Sequence, residues 1–176
     1  FKQEGYDVLD LWTGYQGQYV MIEARPAGDR QRGKSVKQLT IEDDLSESRE
    51  EIERFKEHVP ARLSQVGAYF AEMIKGGQKI VFWGGGSKAV AFLTTLGISS
   101  DEVEFVVDIN PFKQGTFLAG TGQEIIPPIT LREYQPDQVI LMNPMYEAEV
   151  RSDLRRLGLL PVITDVEKIY SQYKVA

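Results

Sequence analysis

Three consecutive glycines followed by a serine and a lysine are the residues of this sequence best placed to bind a phosphate. The stretch GGGSKA, residues 84–89, lies between a short apolar run at 79–83 and an apolar run with helical spacing at 88–96. Glycines let the backbone turn tightly and approach a ligand closely, and the first N–H groups of the next helix face any anion placed there. We therefore predict a nucleotide or phosphate site at this strand-to-helix turn, which fits the pattern G-x-G-x-x-A.

The residues alone leave more than one interpretation of this glycine stretch open. Asp108 ends the next predicted strand, where the dinucleotide-binding fingerprint places an acidic side chain that accepts hydrogen bonds from ribose hydroxyls. Alternatively, the glycines only form the turn, since many Rossmann-like domains keep such a turn without binding a dinucleotide. A Walker A loop is a poor match, because Ser87 precedes Lys88 and Ala89 follows it.

Polar residues also follow two other predicted strands, at the sheet edge where ligands of open α/β sheets bind. The segment DINPFK, residues 108–113, follows one of them, and Lys113 is a candidate partner for a pyrophosphate as a point charge. The same residue types form turns, so a pure turn is the alternative. Asn143 follows the other strand and either binds a sugar hydroxyl or caps the next helix.

The composition excludes several classes of site. The 176 residues carry a net charge of −6, with no cysteine and one histidine, His58. Disulfides, thiolate zinc sites, cysteine nucleophiles and multi-histidine metal sites are therefore ruled out, and we expect no metal. The acidic balance argues against a nucleic-acid partner, and no apolar run approaches the ~20 residues that span a bilayer. We expect a cytoplasmic protein without a membrane partner.

The elements that must position these residues follow an α/β pattern. Residues 1–26 are predicted to hold a β-hairpin, 27–44 a polar linker, and 45–77 a long amphipathic linker helix, or two helices with a bend at Pro60. Residues 78–176 alternate between apolar strands and helices, which predicts a small Rossmann-like parallel sheet with helices on both faces. The predicted strands are residues 79–83, 103–108, 138–143 and 161–164, and the predicted helices are 88–96, 131–134, 145–157 and 166–173, with a loop-rich stretch at 109–129.

Short motifs run in a fixed order through this predicted Rossmann-like domain. They are Gly84, Gly86 and Lys88; Leu96-Gly97-Ile98; Asp108, Asn110, Pro111, Lys113 and Gly115; Gly120-Thr121; Pro136-Asp137; and Asn143 with Glu149. In order and spacing the set resembles the C-terminal domain of SAM-dependent C-methyltransferases that act on nucleotide-linked deoxysugars. The hairpin, which ends in Arg25-Pro26, resembles the last two strands of the SAM-binding methyltransferase sheet that precedes this domain in the family.

The resemblance implies that the chain, which starts at Phe1 rather than Met, is the C-terminal portion of a longer enzyme. Its partner would be the upstream methyltransferase domain, which would hold SAM and the catalytic residues, so no cofactor and no catalytic residue are expected in this chain. The implied role is to contribute to a nucleotide-sugar site and to brace the catalytic domain, with no activity alone and with a homodimer left open. The expected substrate-binding residues are Gly84, Gly86, Ser87, Lys88, Asp108, Asn110, Lys113 and Asn143.

Two other functions are compatible with the same residues. One is a stand-alone Rossmann-like module that binds NAD or another nucleotide, which rests on the glycine fingerprint alone. The other is a structural or interface domain without a ligand, in which the domain's own side chains fill the space beside residues 84–88. Binding of a dTDP-sugar, of NAD or of neither separates these hypotheses.

Overall fold

Residues 1–15, 17, 19–28 and 45–172 are described by the structure, a computed structural model. Most of the predicted linker, residues 29–44, lies outside the described residues, as does the last residue of the predicted closing helix, 173. The chain divides into two units, Phe1–Phe55 and Lys56–Ala176.

The first unit contains an antiparallel hairpin. Strand β1 (Tyr6–Gly14) pairs with strand β2 (Tyr19–Pro26), and the register shifts between Val8 and Asp10. The predicted hairpin is thus confirmed. Most of its side chains are exposed.

A single long helix, α1 (Leu45–Lys75), contains Pro60 in its interior. Of the two predicted alternatives, the uninterrupted helix is the one that forms. In the second unit its side chains Val66 and Phe70, four residues apart and therefore on one helix face, are fully buried. The helix ends before Gly77, whose φ of 74° lies in the left-handed region that favours glycine.

The second unit is built on a five-stranded parallel sheet with the order β5-β4-β3-β6-β7. The strands are β3 (Ile80–Trp83), β4 (Phe105–Val107), β5 (Glu124–Ile126), β6 (Gln138–Leu141) and β7 (Val162–Asp165). The helices are α2 (Ser87–Leu96), α3 (Leu131–Tyr134), α4 (Glu147–Arg156) and α5 (Val166–Gln172). The α/β alternation predicted from the sequence is confirmed.

Helices cover both faces of this sheet, as predicted. One face packs against α1, α2 and α5 through a cluster that includes Phe70, Phe92 and Ile169. The other packs against α3 and α4 through a cluster that includes Val150 and Leu154. All four residues of β3 are buried, because this central strand is covered on both sides.

Strand β5 was missing from the predicted elements, and its three residues lie inside the stretch predicted as loop-rich. Its backbone pairs in parallel with β4, from Phe105 opposite Glu124 to Val107 opposite Ile126. An isolated antiparallel bridge also joins Phe117 to Glu124. A strand this short between glycines and prolines carries too little apolar periodicity to stand out from a loop.

The order of the strands creates a crevice next to β3. The chain passes from β3 to β4 and β5 on one side, and then crosses to β6 and β7 on the other. The carboxyl ends of β3 and β6 therefore face a topological switch point, where open α/β sheets bind ligands.

Among the described residues, no helix combines the length and the apolar character that crossing a membrane requires.

Candidate functional site

A cavity of about 510 Å³ lies at the carboxyl ends of β3, β4 and β6. Its lining residues are Trp83, Gly84, Gly86, Ser87, Lys88, Asp108, Ile109, Lys113, Leu141, Met142, Asn143, Tyr146, Glu149, Val150 and Asp153. These come from the last residues of β3 and β6, the turn and helix start after β3, the loop after β4, and the turn and helix after β6. The cavity thus occupies the switch-point crevice.

The three glycines of the turn have different structural roles. Gly84 has a φ of 112°, and its N–H donates to the Val107 carbonyl at 2.7 Å, so this position is constrained by the backbone. A Cβ added to Gly85 would lie 3.3 Å from the Asp108 carboxylate. Gly86 has an ordinary extended conformation, and a Cβ added there meets no atom within 4 Å. The space beside Gly86 is open, which is what close approach of a ligand requires.

Asp108 is the hydrogen-bonding centre of the site. Its Oδ2 accepts from the Gly85 N–H at 3.0 Å and from Lys113 Nζ at 3.0 Å, and its Oδ1 accepts from the Asn110 N–H at 2.9 Å. Lys113 Nζ also donates to the Gly85 carbonyl at 3.3 Å. The buried carboxylate therefore ties the glycine turn to the loop after β4, and two of its donors come from that loop.

These contacts decide the protonation behaviour of Asp108. Burial of the carboxylate acts to raise its pKa, but the hydrogen bonds from the Asn110 N–H and Lys113, the charge of Lys113 and the Gly85 N–H together hold the pKa below its ordinary value. The charged form is thus favoured in the folded protein.

A lowered pKa of Asp108 predicts an acid-dependent contribution to stability. This contribution is fully present above about pH 4, the unfolded-state pKa of aspartate, and is lost as the pH falls through the lower folded-state pKa. The free energy of unfolding of Asp108→Asn should therefore approach that of the wild type as the pH falls below about 4. Urea unfolding across this range measures the difference, with Asp101→Asn, an exposed aspartate, as the control. A difference between wild type and Asp108→Asn that does not change with pH would contradict the assignment.

Helix α2 starts at the cavity. Gly86 is its N-cap and supplies no side-chain hydrogen bond, and Ser87 is its first residue. The N–H groups at a helix start have no intrahelical acceptor and carry the positive end of the helix dipole. With Lys88 and Lys113 also on the wall, this side of the cavity is suited to an anion.

The wall contributed by the β6 side has the opposite character. Asn143 accepts from the Met145 N–H at 3.1 Å through its Oδ1 and so caps the turn that precedes α4. This is the capping alternative predicted for Asn143, although the residue also lines the cavity. Glu149 and Asp153, one helical turn apart on α4, place two carboxylates on the same wall. Asp153 was not among the expected site residues, and Glu149 only entered through the family motif.

The structure brings the expected site residues together, with one exception. All of them except Asn110 line the cavity. Asn110 is exposed, and its Oδ1 accepts from the Phe112 N–H at 3.0 Å while its own N–H donates to Asp108. Its described contacts are those of a turn-forming residue. His58 lies on α1 and is not one of the residues that line the cavity.

No group of three or more histidine, aspartate or glutamate side chains in the described ranges has an arrangement that could hold a metal ion.

Comparison with known proteins assigns the family. The model of the C-methyltransferase C-terminal domain matches residues 16–158. The chain belongs to this family. Among curated proteins it is similar to C-methyltransferase NovU of Streptomyces niveus, with 26% identity over 156 residues, which is 85% of this chain and 37% of that protein. The chain therefore spans little more than a third of the length of this relative.

Solved structures give a weaker likeness. RSP, a Rex-family repressor, matches 54% of this chain and 56% of its own with 17% identity and a TM-score of 0.37. RSP in complex with β-NAD⁺ and operator DNA matches 54% of this chain and 53% of its own, with 18% identity and a TM-score of 0.39. At such scores neither fold nor ligand is transferred from these structures.

Proposed function

We propose that this C-methyltransferase C-terminal domain contributes a nucleotide-sugar site to a SAM-dependent C-methyltransferase and braces its catalytic domain. The observation that carries the proposal is the switch-point cavity, whose wall contains Lys88 and Lys113 beside the start of α2. A diphosphate placed at the helix start would gain both the dipole and the two ammonium groups. Family membership supports the class of reaction.

The apolar part of the cavity is consistent with a ligand that also carries rings. Trp83, Met142 and Val150 also line the cavity. Ligand sites usually combine such apolar surface with a few placed polar groups. A nucleotide sugar, with a diphosphate between two rings, has this combination of chemistry.

SAM is proposed to bind outside this chain. At the glycine turn, the acidic residue that would receive ribose hydroxyls is Asp108, and both of its carboxylate oxygens already accept from Gly85, Asn110 and Lys113. The ribose hydroxyls of SAM or NAD, placed as in the dinucleotide fingerprint, would have to compete with these three donors. SAM, when bound by the upstream domain, would supply the methyl group. This chain would hold the substrate's charged and hydroxylated parts, and it should not transfer a methyl group by itself.

Calorimetric titration of the chain tests this function directly. We expect dTDP-glucose to bind, and Lys88→Ala to weaken that binding about tenfold, the value of one charge-assisted hydrogen bond. Lys75→Ala, which removes an exposed lysine at the end of α1, is the matched control and should leave binding unchanged. NAD and SAM serve as comparison ligands.

The alternatives have distinct outcomes in the same titration. Binding of NAD without binding of dTDP-glucose would replace the proposal by the nucleotide-module hypothesis. If dTDP-glucose, NAD and SAM all fail to bind at millimolar concentration, the structural hypothesis is favoured. Binding that is equally weakened by Lys75→Ala would show that only overall charge matters.

A further inference from the structure

We infer that the hydroxylated ring of the ligand lies against α4, where Glu149 and Asp153 accept its hydroxyl groups, rather than against Asp108. This inference rests on the proposed function, and it specifies how the ligand is oriented in the cavity. It reverses the orientation that the dinucleotide fingerprint assigns to this kind of turn.

The first reason is that three protein donors already occupy most of the acceptor capacity of the Asp108 carboxylate. The residue Asp108 is 8% exposed, and its carboxylate accepts from Gly85, Asn110 and Lys113, each at 2.9–3.0 Å. A ribose diol at this position would compete for Oδ2 with the N–H of the glycine turn and the ammonium group of Lys113, and for Oδ1 with the Asn110 N–H. Because displaced buried donors lose their hydrogen bonds, this exchange is unfavourable.

The second reason is that the α4 wall carries an acceptor that the protein itself leaves unused. Glu149 is exposed, lines the cavity, and accepts no hydrogen bond or ion pair from any residue in the described part of the chain. Asp153, one turn later, pairs with Arg156 through one carboxylate oxygen. Ionised carboxylates are acceptors only, so their natural ligands in a neutral molecule are hydroxyl or amide donors.

The third reason is the separation of charge across the cavity. Lys88 lies in the first turn of α2, after β3, and Lys113 lies on the loop after β4, whereas Glu149 and Asp153 lie on α4, the helix after β6. In the sheet β4 and β6 lie on opposite sides of β3. A diphosphate is attracted to the lysine side and repelled from the α4 side, so a ring joined to that diphosphate is the part that meets the carboxylates.

The substitution Glu149→Gln tests this orientation, because it predicts effects of opposite sign on two probes. Binding of dTDP-glucose should weaken about tenfold, since a charged acceptor is lost. Binding of inorganic pyrophosphate should become tighter, since a negative charge leaves the cavity wall. Asp153→Asn should show the same pair of effects. Glu133→Gln, an exposed position on α3 outside the cavity, changes the net charge equally and should affect neither probe.

Comparing three nucleotides identifies which ring contacts α4. If the hexose does, dTDP-glucose binds more tightly than dTDP, and Glu149→Gln removes that difference. If the ribose does, UDP binds more tightly than dTDP through its 2′-hydroxyl, and Glu149→Gln removes that difference instead. Either result supports the inference.

The inference and the proposed function fail in different ways. If dTDP-glucose binds but Glu149→Gln strengthens its binding along with that of pyrophosphate, the α4 carboxylates act only as charge and the inference is overturned while the function stands. If NMR chemical shifts at millimolar concentration show that neither dTDP-glucose nor dTDP binds, both the inference and the proposed function are overturned. Thermal unfolding of each variant shows that the fold is retained.

Discussion

Replacing Gly86 by leucine is expected to abolish binding of dTDP-glucose, by more than 100-fold, while the protein stays folded. Gly86 lines the cavity, has φ −103° and ψ −169°, and has no atom within 4 Å of the position of an added Cβ. An extended backbone of this kind accepts any residue, so the leucine side chain enters the cavity instead of straining the turn. The cost to stability should be about 1 kcal/mol, the difference between glycine and an apolar residue at an N-cap.

Gly84, the first glycine of the same turn, provides the matched control, because its substitution should affect stability rather than binding. Gly84 has a φ of 112°, and an added Cβ would lie 3.4 Å from the Met142 Cβ. Gly84→Ala should therefore lower the free energy of unfolding by about 1–3 kcal/mol, the usual cost of such a backbone conformation. The fraction that remains folded should still bind the nucleotide. Titration and urea unfolding of both variants measure the two effects, and wild-type binding by Gly86→Leu would show that the ligand lies elsewhere.

The different roles of these glycines mark what the sequence could and could not predict. The strand–turn–helix arrangement follows from the apolar run at 80–83, the glycines and the apolar spacing of α2. Which glycine serves the backbone and which faces the ligand depends on φ values and on neighbours such as Met142, which comes from another strand. The fingerprint assigns its first glycine to the tight turn and its second to the close approach of a ligand, but the crowding of Gly85 by the Asp108 carboxylate is seen only in the folded chain.

Asp108 shows the same limit of sequence-based prediction for a polar residue. Its position directly after β4 was predictable from the apolar run before it, and the residue lines the cavity. Its partners were not predictable, because the Gly85 N–H approaches from a different strand-to-helix turn. A fingerprint gives the location of a carboxylate, but the number of donors around it decides whether it is free for a ligand.

The α4 wall was within reach of sequence reasoning and was only partly found. Val150 and Leu154 are buried at a four-residue spacing, which fixes the rotation of the helix. Glu149 and Asp153 each precede one of them by a single residue, so they lie together on a neighbouring flank. A helix that follows β6 at the carboxyl edge of the sheet places that flank beside the crevice. Motif searches weigh glycines and overlook such a flank.

The edge strand β5 was not predicted from the sequence, for a different reason. Its three residues Glu124–Ile126 become a strand through pairing with β4. The N–H of Glu124 also donates to the carbonyl of Glu104, just before β4. Non-local pairing of this kind leaves little trace in a local pattern. The strand matters for the site, because Gly115 donates to the Ile125 carbonyl and so anchors the loop that carries Lys113.

Replacing Asp108 by alanine is expected to lower the free energy of unfolding by roughly 3 kcal/mol, because buried donors lose their shared acceptor. The Gly85 N–H, the Asn110 N–H and Lys113 all depend on this one carboxylate. Nucleotide binding should weaken as well, since the glycine turn loses its connection to the β4 loop. Asp101→Ala, at an exposed position, is the control for removing an aspartate. Urea unfolding and calorimetric titration measure the two properties on the same samples.

A double substitution separates a positioning role of Asp108 from direct contact with the ligand. If Asp108 acts by holding Lys113 and the glycine turn, Lys113→Met should cost less stability in the Asp108→Ala background than in the wild type, by about 1 kcal/mol or more. Lys113 is partly exposed, at 39% of its side-chain surface, so its own contribution to stability should be the smaller of the two. Loss of nucleotide binding by Asp108→Ala with wild-type stability would instead identify the carboxylate as a ribose acceptor. That result would restore the dinucleotide orientation and remove the reason to place the hydroxylated ring against α4.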